Sequence, residues 1–356
     1  MKKIESKIKN ILLKILLLLI PGSSGNGTPE LNEKSKILFI RLNKIGDALV
    51  TTPLLKMVKE KTGAKIFVLA DSKNHFIFRS NPSVDEVLVF NKKIKELILL
   101  RKKITNEKFD VVVDLHDDVS TTVSFMIASL RINYKFGLEK ENKAIFTHTV
   151  ERPDPISNHV IDRINSIGKL FNIDTLDPDT NVQYRIDENS LQRVEKYLQK
   201  NFLEKKFLAG INISAGSYSR FWGKKRFKNL IQHLEKYDTD ILLLCSTRDL
   251  DKAQDISHNK IKIFYSPDFN IFSAMISKLD FLFTPDTSVI HIASAFQIPT
   301  FGIYVKYNTD DMIWSPYKSK FEAVITYEPN FDNLEFEETI KKLKPFFEEI
   351  YEERNS

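Results

Sequence analysis

The chain has 356 residues, a net charge of +6, 42% hydrophobic residues, 28% charged residues and one cysteine. That length is long for one core and fits two domains of ordinary size, and the apolar content points to a globular, soluble bulk. Cys245 alone excludes an intrachain disulfide framework and fits a reducing compartment. Lysines interleave with glutamates and no aromatic-plus-basic motif stands out, so the charge favours acidic surfaces or phosphates, and nucleic acid is not an expected partner.

The first twenty residues, "MKKIESKIKNILLKILLLLI", carry lysines at 2, 3, 7, 9 and 14. Ile4, Ile8, Ile11, Ile15 and Leu18 fall on one helical face. The apolar run from Ile11 to Ile20 is ten residues with Lys14 inside, and a spanning helix needs ~20. "PGSSGNGTPE" then reads as a stop and a flexible linker. Three readings stay open: an interfacial anchor on an anionic leaflet, a cleaved signal peptide, and a helix packed on the protein.

From Lys36 short apolar runs alternate with helical stretches. "KILFIRL" predicts a strand, followed by a helix near Leu49 to Lys61; "AKIFVLA", "VDEVLVF" and "FDVVVDLH" predict further strands. "ERPDPISNHV" breaks the pattern, and a helix is expected over Ile161 to Phe171. After a helix near Ser190 to Lys200 the alternation restarts. "FLAGINIS", "DILLLCS", "KIKIFY", "DFLFTP" and "PTFGIYV" are strands, with "KRFKNLIQHLEKY", "IFSAMISKL" and "SVIHIASAF" as helices between them. β-α-β alternation implies parallel sheets with helices on both faces and right-handed crossovers. The expected organisation is an N-terminal helix and linker (1–30), a first α/β domain (31–180), a second (181–330) and a charged helix (331–356).

Ligands of open α/β sheets bind beyond the carboxyl ends of the strands. Three loops there carry unusual polar residues. In the first, Arg41 and Lys44 precede Gly46-Asp47 at the exit of the first strand. In the second, Ser214, Ala215, Gly216 and Ser217 precede Arg220, Lys224 and Lys225 and then a helix, a pattern suited to an anion yet equally that of a solvated loop. In the third, Asp286, Thr287 and Ser288 open the helix that carries His291, as helix caps or as phosphate-binding amides. Asp238-Thr239-Asp240 precedes a strand, at the wrong end for a ligand, and reads as turn chemistry. Asp117-Asp118 follows a strand at the proper end, but two adjacent carboxylates point apart and no further metal ligands are evident.

Taken in order, these pieces resemble glycosyltransferase family 9, the lipopolysaccharide heptosyltransferases, over roughly Lys36 to Tyr317. "ILFIRLNKIGDALVTTPLL" is similar to the family's opening strand, I-G-D turn and threonine-proline. "GINISAGSYSRFWGKKRFKNLI" is similar to its G-x-x-P-G-A loop leading to K-R-W-P. "TPDTSVIHIASAFQIPTFGIY" is similar to N-D-S-G-x-x-H-x-A-A-A-x-x-x-P-T, and "NTDDMIWSPY" to its closing T-D-P-x-x-W-x-P-Y. The resemblance implies the GT-B fold: two Rossmann-like domains with parallel sheets facing across a cleft, and a last helix that crosses back to the first domain.

The implied activity is inverting transfer of a sugar from a nucleotide-sugar, ADP-heptose by resemblance, to a lipid-linked glycan such as lipopolysaccharide core. It implies work at the inner face of the cytoplasmic membrane, with no metal and no other cofactor. Asp47 is the implied base, exposed by a tight turn at Gly46. Arg41 and Lys44 hold Asp47 ionised or bind an acidic acceptor. Ser214, Gly216, Ser217, Arg220, Asp286, Thr287, Ser288 and His291 form the implied donor site. Departures are Ser214 for the loop proline, Arg220 for lysine, Gly223 for proline, Ser288 for glycine and Tyr307-Asn308 for Gly-Pro. Two alternatives keep the fold: a nucleotide-sugar epimerase and a non-catalytic glycan- or nucleotide-binding relative.

Overall fold

A computed structural model of the chain describes residues 11–18, 27–91, 94–175, 180–204, 206–258 and 260–356. It divides into two units, Met1–Tyr184 and Arg185–Ser356. The first holds β1 (Lys36–Arg41), β2 (Lys65–Asp71), β3 (Glu86–Phe90), β4 (Val111–Asp114), β5 (Tyr134–Leu138) and β6 (His148–Val150). They form one sheet in the order β3-β2-β1-β4-β5-β6, every pair parallel. The second holds β7 (Phe207–Asn212), β8 (Thr239–Cys245), β9 (Lys262–Tyr265), β10 (Phe281–Pro285), β11 (Thr300–Val305) and β12 (Phe321–Thr326). Its order is β12-β11-β10-β7-β8-β9, again all parallel.

The continuous apolar runs are central strands. Ile37, Leu38, Phe39 and Ile40 are fully buried, as are Phe281, Leu282 and Phe283, because helices cover both faces of a parallel sheet. The strands that escaped the sequence reading are β5, β6 and β12. β6 is three residues, all half-buried, and β12 opens on exposed Phe321 and half-buried Glu322. These three strands carry short or interrupted apolar runs, unlike the edge strands β3 and β9, whose runs are legible.

Two helices replace the one expected after β1. Ile45–Leu49 ends where the Thr51 and Thr52 hydroxyls donate to the Ala48 and Leu49 carbonyls, both at 2.7 Å. Thr52–Thr62 then starts with Pro53 in its first turn, where a missing N–H costs nothing, and ends at Gly63 with φ +65°. Gly46 lies inside the first of these helices and is not among the left-handed glycines, which corrects the expectation of a tight glycine turn. The segment read as one helix from Ile161 is Val160–Asn165 continued by a tighter 3-10 turn, Ser166–Phe171.

Residues 11–18 are helical. Leu13 is buried and Leu17 packs on the core of the first unit, while Ile11, Leu12, Ile15 and Leu18 are exposed. Lysines 2, 3, 7 and 9, with Ile4, Ile8 and most of the linker, lie outside the described residues. No helix among the described residues is long and apolar enough to cross a membrane. In the second unit the last helix, Phe336–Asn355, packs on that unit's own sheet. Phe347 meets Phe207 and Phe281 edge to face, and Arg354 pairs with Asp280 at 3.0 Å.

Candidate active site at the two strand switch points

In each sheet the strand order reverses once, between β1 and β4 in the first unit and between β7 and β10 in the second. Crossovers leave these neighbouring strands in opposite directions, so a crevice opens at their carboxyl ends. Arg41 ends β1, Asp47 follows it, and the Asp117-Asp118 pair follows β4. Loop 214–220 follows β7, and Asp286–His291 follows β10.

Asp47 sits in the first turn of the helix Ile45–Leu49, and its side chain keeps 20% of its exposure. Arg41 is only 2% exposed. Its Nη2 donates to Asp47 Oδ1 at 2.9 Å, its Nε to the Asp47 carbonyl at 2.9 Å and its Nη1 to the Leu115 carbonyl at 2.8 Å. Burial lowers the Arg41 guanidinium from its ordinary value, while Asp47, Asp114, Asp117 and Asp118 act the other way. A guanidinium so enclosed and so engaged favours the role of holding Asp47 over that of touching an acceptor. Lys44, directly before the helix, is exposed.

Two buried networks flank this pair, and neither was read from sequence. Asp114 Oδ1 accepts from the His116 amide at 3.0 Å and lies 2.7 Å from His116 Nδ1, and Lys140 Nζ donates to Asp114 Oδ2 at 3.1 Å. Burial alone would raise the Asp114 carboxyl; Lys140 and His116 outweigh it and hold the group far below the usual carboxylate range. Asp117, rather than a metal ligand, is a carboxylate shared by two arginines: Arg152 approaches at 2.9 Å and Arg163 at 2.7 Å. Burial would raise it too, and the two guanidinium forks lower it. Asp118 is 94% exposed. The signal for Arg152 and Arg163 lay in "ERPDPISNHVIDR", some forty residues downstream, with nothing local to link them to Asp117. Asp238-Thr239-Asp240 lies at the start of β8, the opposite end from these loops, and Asp238 pairs with Lys206 at 2.6 Å.

In the second unit Asn212 Nδ2 donates to Thr284 Oγ1 at 2.9 Å and ties β7 to β10 beneath the loops. Arg220 Nη1 pairs with Asp286 Oδ2 at 2.8 Å, so the chain brings together the two charged residues predicted for the donor site. With Arg220 40% and Asp286 26% exposed, solvent screens this pair and it adds little to stability. Thr287 caps the helix Ser288–Ala295 by accepting from the Val289 amide at 3.3 Å. His291 is buried, with its ring 6.0 Å from that of Trp314, which favours orienting the loop over reaching a ligand. Ser294 hydrogen-bonds the Tyr317 main chain in both directions, so the segment "MIWSPY" is bound to the same helix.

Ser214 is committed to the fold. Its hydroxyl donates to Asp249 Oδ2 at 2.7 Å and accepts from the Ser246 amide at 2.7 Å. Ser217 and Gly216 are exposed, and a Cβ on Gly216 would meet no heavy atom within 4 Å. Gly223 has φ +106°, a conformation that the proline of the resembling motif cannot adopt. Among the described residues no three His, Cys, Asp or Glu side chains are grouped to hold a metal ion.

The family description that matches this chain, "Glycosyltransferase family 9 (heptosyltransferase)", spans residues 98–344, well over half of its length. The chain belongs to glycosyltransferase family 9. The match begins after β1, so Asp47 is read from its geometry rather than from the matched span. Among family relatives, the lipopolysaccharide core heptosyltransferase OpsX of Haemophilus influenzae is 21% identical over 316 residues, covering 85% of this chain and 88% of its own. A solved glycosyltransferase family 9 structure from Veillonella parvula superposes with TM-score 0.77 at 20% identity, over 90% of this chain and 99% of that one. The E. coli heptosyltransferase WaaC with ADP-2-deoxy-2-fluoro heptose superposes with TM-score 0.68 at 17% identity, over 88% and 99%. At such identities the structures establish the shared GT-B fold, and the family establishes glycosyl transfer.

Proposed function

We propose that this glycosyltransferase transfers heptose from ADP-heptose, with inversion, to a lipid-linked surface glycan, and that Asp47 is its general base. The carrying observation is the Arg41–Asp47 pair. A carboxylate at a switch point, one-fifth exposed, faces a buried guanidinium 2.9 Å away. The guanidinium pairs with the carboxylate through Oδ1 and holds it in place at the strand exit. The Asp47 carboxylate takes the acceptor hydroxyl proton as that oxygen attacks the anomeric carbon. Negative charge then grows on the leaving diphosphate. Arg220 and the main-chain amides of Thr287 and Ser288 stabilise it, with Gly216 and Ser217 leaving room for close approach. Lys44, exposed directly before the helix, meets an acidic acceptor. The heptosyltransferase family and the ADP-heptose analogue bound by the E. coli relative support the donor; the relative OpsX, a lipopolysaccharide core heptosyltransferase, supports a lipopolysaccharide-type acceptor.

The enzyme works as a peripheral protein at the inner face of the membrane, where nucleotide-sugars and lipid-linked acceptors meet. The exposed Ile11, Leu12, Ile15 and Leu18, with exposed Lys14 among them, support an interfacial helix.

Asp47→Asn keeps an oxygen to accept from Arg41 and removes the base. It should retain the melting temperature and ADP affinity and lower kcat by roughly 10²–10⁴-fold. Full turnover by this variant would take Asp47 out of the role.

A further inference from the structure

We propose that Asp114, His116 and Lys140 are positioning residues for Asp47, acting through the Leu115–His116 peptide group and Arg41. The proposal rests on the reading of Asp47 as the base.

The link is one amide. Its N–H, on His116, donates to Asp114 Oδ1 at 3.0 Å, and its C=O, on Leu115, accepts from Arg41 Nη1 at 2.8 Å. A trans peptide is planar, with N–H and C=O pointing opposite ways, so fixing one end fixes the other. Asp114 therefore aims the Leu115 carbonyl at Arg41, and Arg41 spends its Nε and Nη2 on the Asp47 carbonyl and carboxylate. The order is carboxylate, peptide, guanidinium, carboxylate, with each polar group polarising the next.

Two further contacts lock the same turn. The His116 ring reaches the Leu42 main chain, with Nε2 2.9 Å from the carbonyl oxygen and 3.3 Å from the amide nitrogen. Leu42 directly follows Arg41. Lys140 Nζ donates both to Asp114 Oδ2 and to the His116 carbonyl. The side chains of Asp114, His116 and Lys140 are 1%, 3% and 4% exposed, against 20% for Asp47. The chain of contacts thus runs from the interior to the one carboxylate in it that meets solvent.

Holding β1 to β4 does not require this network. The ladder already pairs Ile37–Ile40 with Val111–Asp114, and the contacts lie at and beyond its last pair. A buried ion pair is a poor device for stability, since desolvating each ion costs several kcal/mol and apolar residues of like volume often serve as well. Orientation of the Leu115–His116 peptide is what the charged residues supply and apolar ones would not.

The test is a double-mutant cycle with ADP-heptose and a lipid-linked core acceptor, read beside ADP affinity and melting temperature. The double variant D114N/K140M removes both charges together and leaves an oxygen for the peptide N–H. It should lower kcat by about 10- to 100-fold, the cost of misplacing a reacting group by roughly 1 Å, with ADP affinity unchanged. Added to Asp47→Asn it should cost nothing more, because its effect passes through Asp47. His116→Gln, which keeps the charge pair and cuts the hold on Leu42, runs the same cycle should the double variant fold poorly. Losses that multiply in the Asp47→Asn background would overturn the proposal, as would wild-type kcat in a folded variant or failure of both variants to fold. Full turnover by Asp47→Asn alone would instead overturn the reading beneath it.

Discussion

At the scale of single residues, burial decides roles that residue type leaves open. Arg41 and Arg220 are both cations placed behind a strand, yet one is 2% exposed and the other 40%. The first is spent on Asp47, and the second keeps a face for solvent or phosphate. Gly216 makes the same point from the other side. No neighbour crowds a Cβ there and its φ is not left-handed, so the folded chain does not itself require glycine. If the residue exists to let a diphosphate approach the backbone, Gly216→Ala should leave the melting temperature within experimental error. ADP affinity should fall at least about tenfold, the worth of one hydrogen bond to a charged group. Unchanged affinity by calorimetry would reduce this position to an ordinary loop residue.

At the scale of elements, the loop after β7 is held from below by Trp222. The indole is fully buried, its Nε1 donates to the Leu334 carbonyl at 2.9 Å, and its ring meets Phe227 edge to face at 5.4 Å. Trp222 joins the loop after β7, the helix Lys224–Leu234 and the entry to the last helix in one core. Trp222→Ala removes that ring and orphans the Leu334 carbonyl, so it should destabilise the second unit by about 3–5 kcal/mol. Urea titration followed by circular dichroism reads this. A loss under about 1 kcal/mol would mean that the loop is held by other contacts. The exposed middle of the loop carries less: there the Ser217 and Ser219 hydroxyls hydrogen-bond one another at 2.9 Å.

At the scale of the whole molecule, buried and half-buried carboxylates set the response to acid. Asp114 and Asp117 in the first unit are held below their ordinary values against burial by Lys140 with His116 and by Arg152 with Arg163; in the second, Lys252, Ser214 and Ser246 do the same for Asp249. A carboxyl lowered in the folded state contributes stability above the unfolded pKa of about 3.9, and loses it as pH falls toward the folded value. The urea midpoint should therefore be nearly flat from pH 7 to 5 and fall below about pH 4. D114N/K140M should flatten part of that fall, and a midpoint unmoved between pH 5 and 3 would refute the assignment. The N-terminal segment belongs to this scale too. Its lysines should each add about 1 kcal/mol of attraction to anionic lipid, weakened by salt. The full chain should pellet with anionic vesicles at low salt, and a chain starting at Glu30 should not. Equal binding by both would remove the anchor.

The sequence by itself determined the α/β alternation, the parallel sheets and the polar loops after β1, β7 and β10, because apolar periodicity and strand-end polar residues are local. It also placed Asp47, Arg220 and the Asp286–His291 segment at strand exits, which is where they lie. What it left open was partnership. That Asp117 belongs to Arg152 and Arg163, that Asp114 belongs to Lys140, and that Arg41 turns inward to Asp47 and Leu115 follow from strand order, which brings β1 beside β4 across more than seventy residues. Strand order and the β5 and β6 edge leave almost no trace in neighbouring residues, since their hydrogen bonds and burial are decided by distant strands. The tertiary structure alone decided which charges are enclosed, and enclosure is what turns a polar residue after a strand into a support or a site.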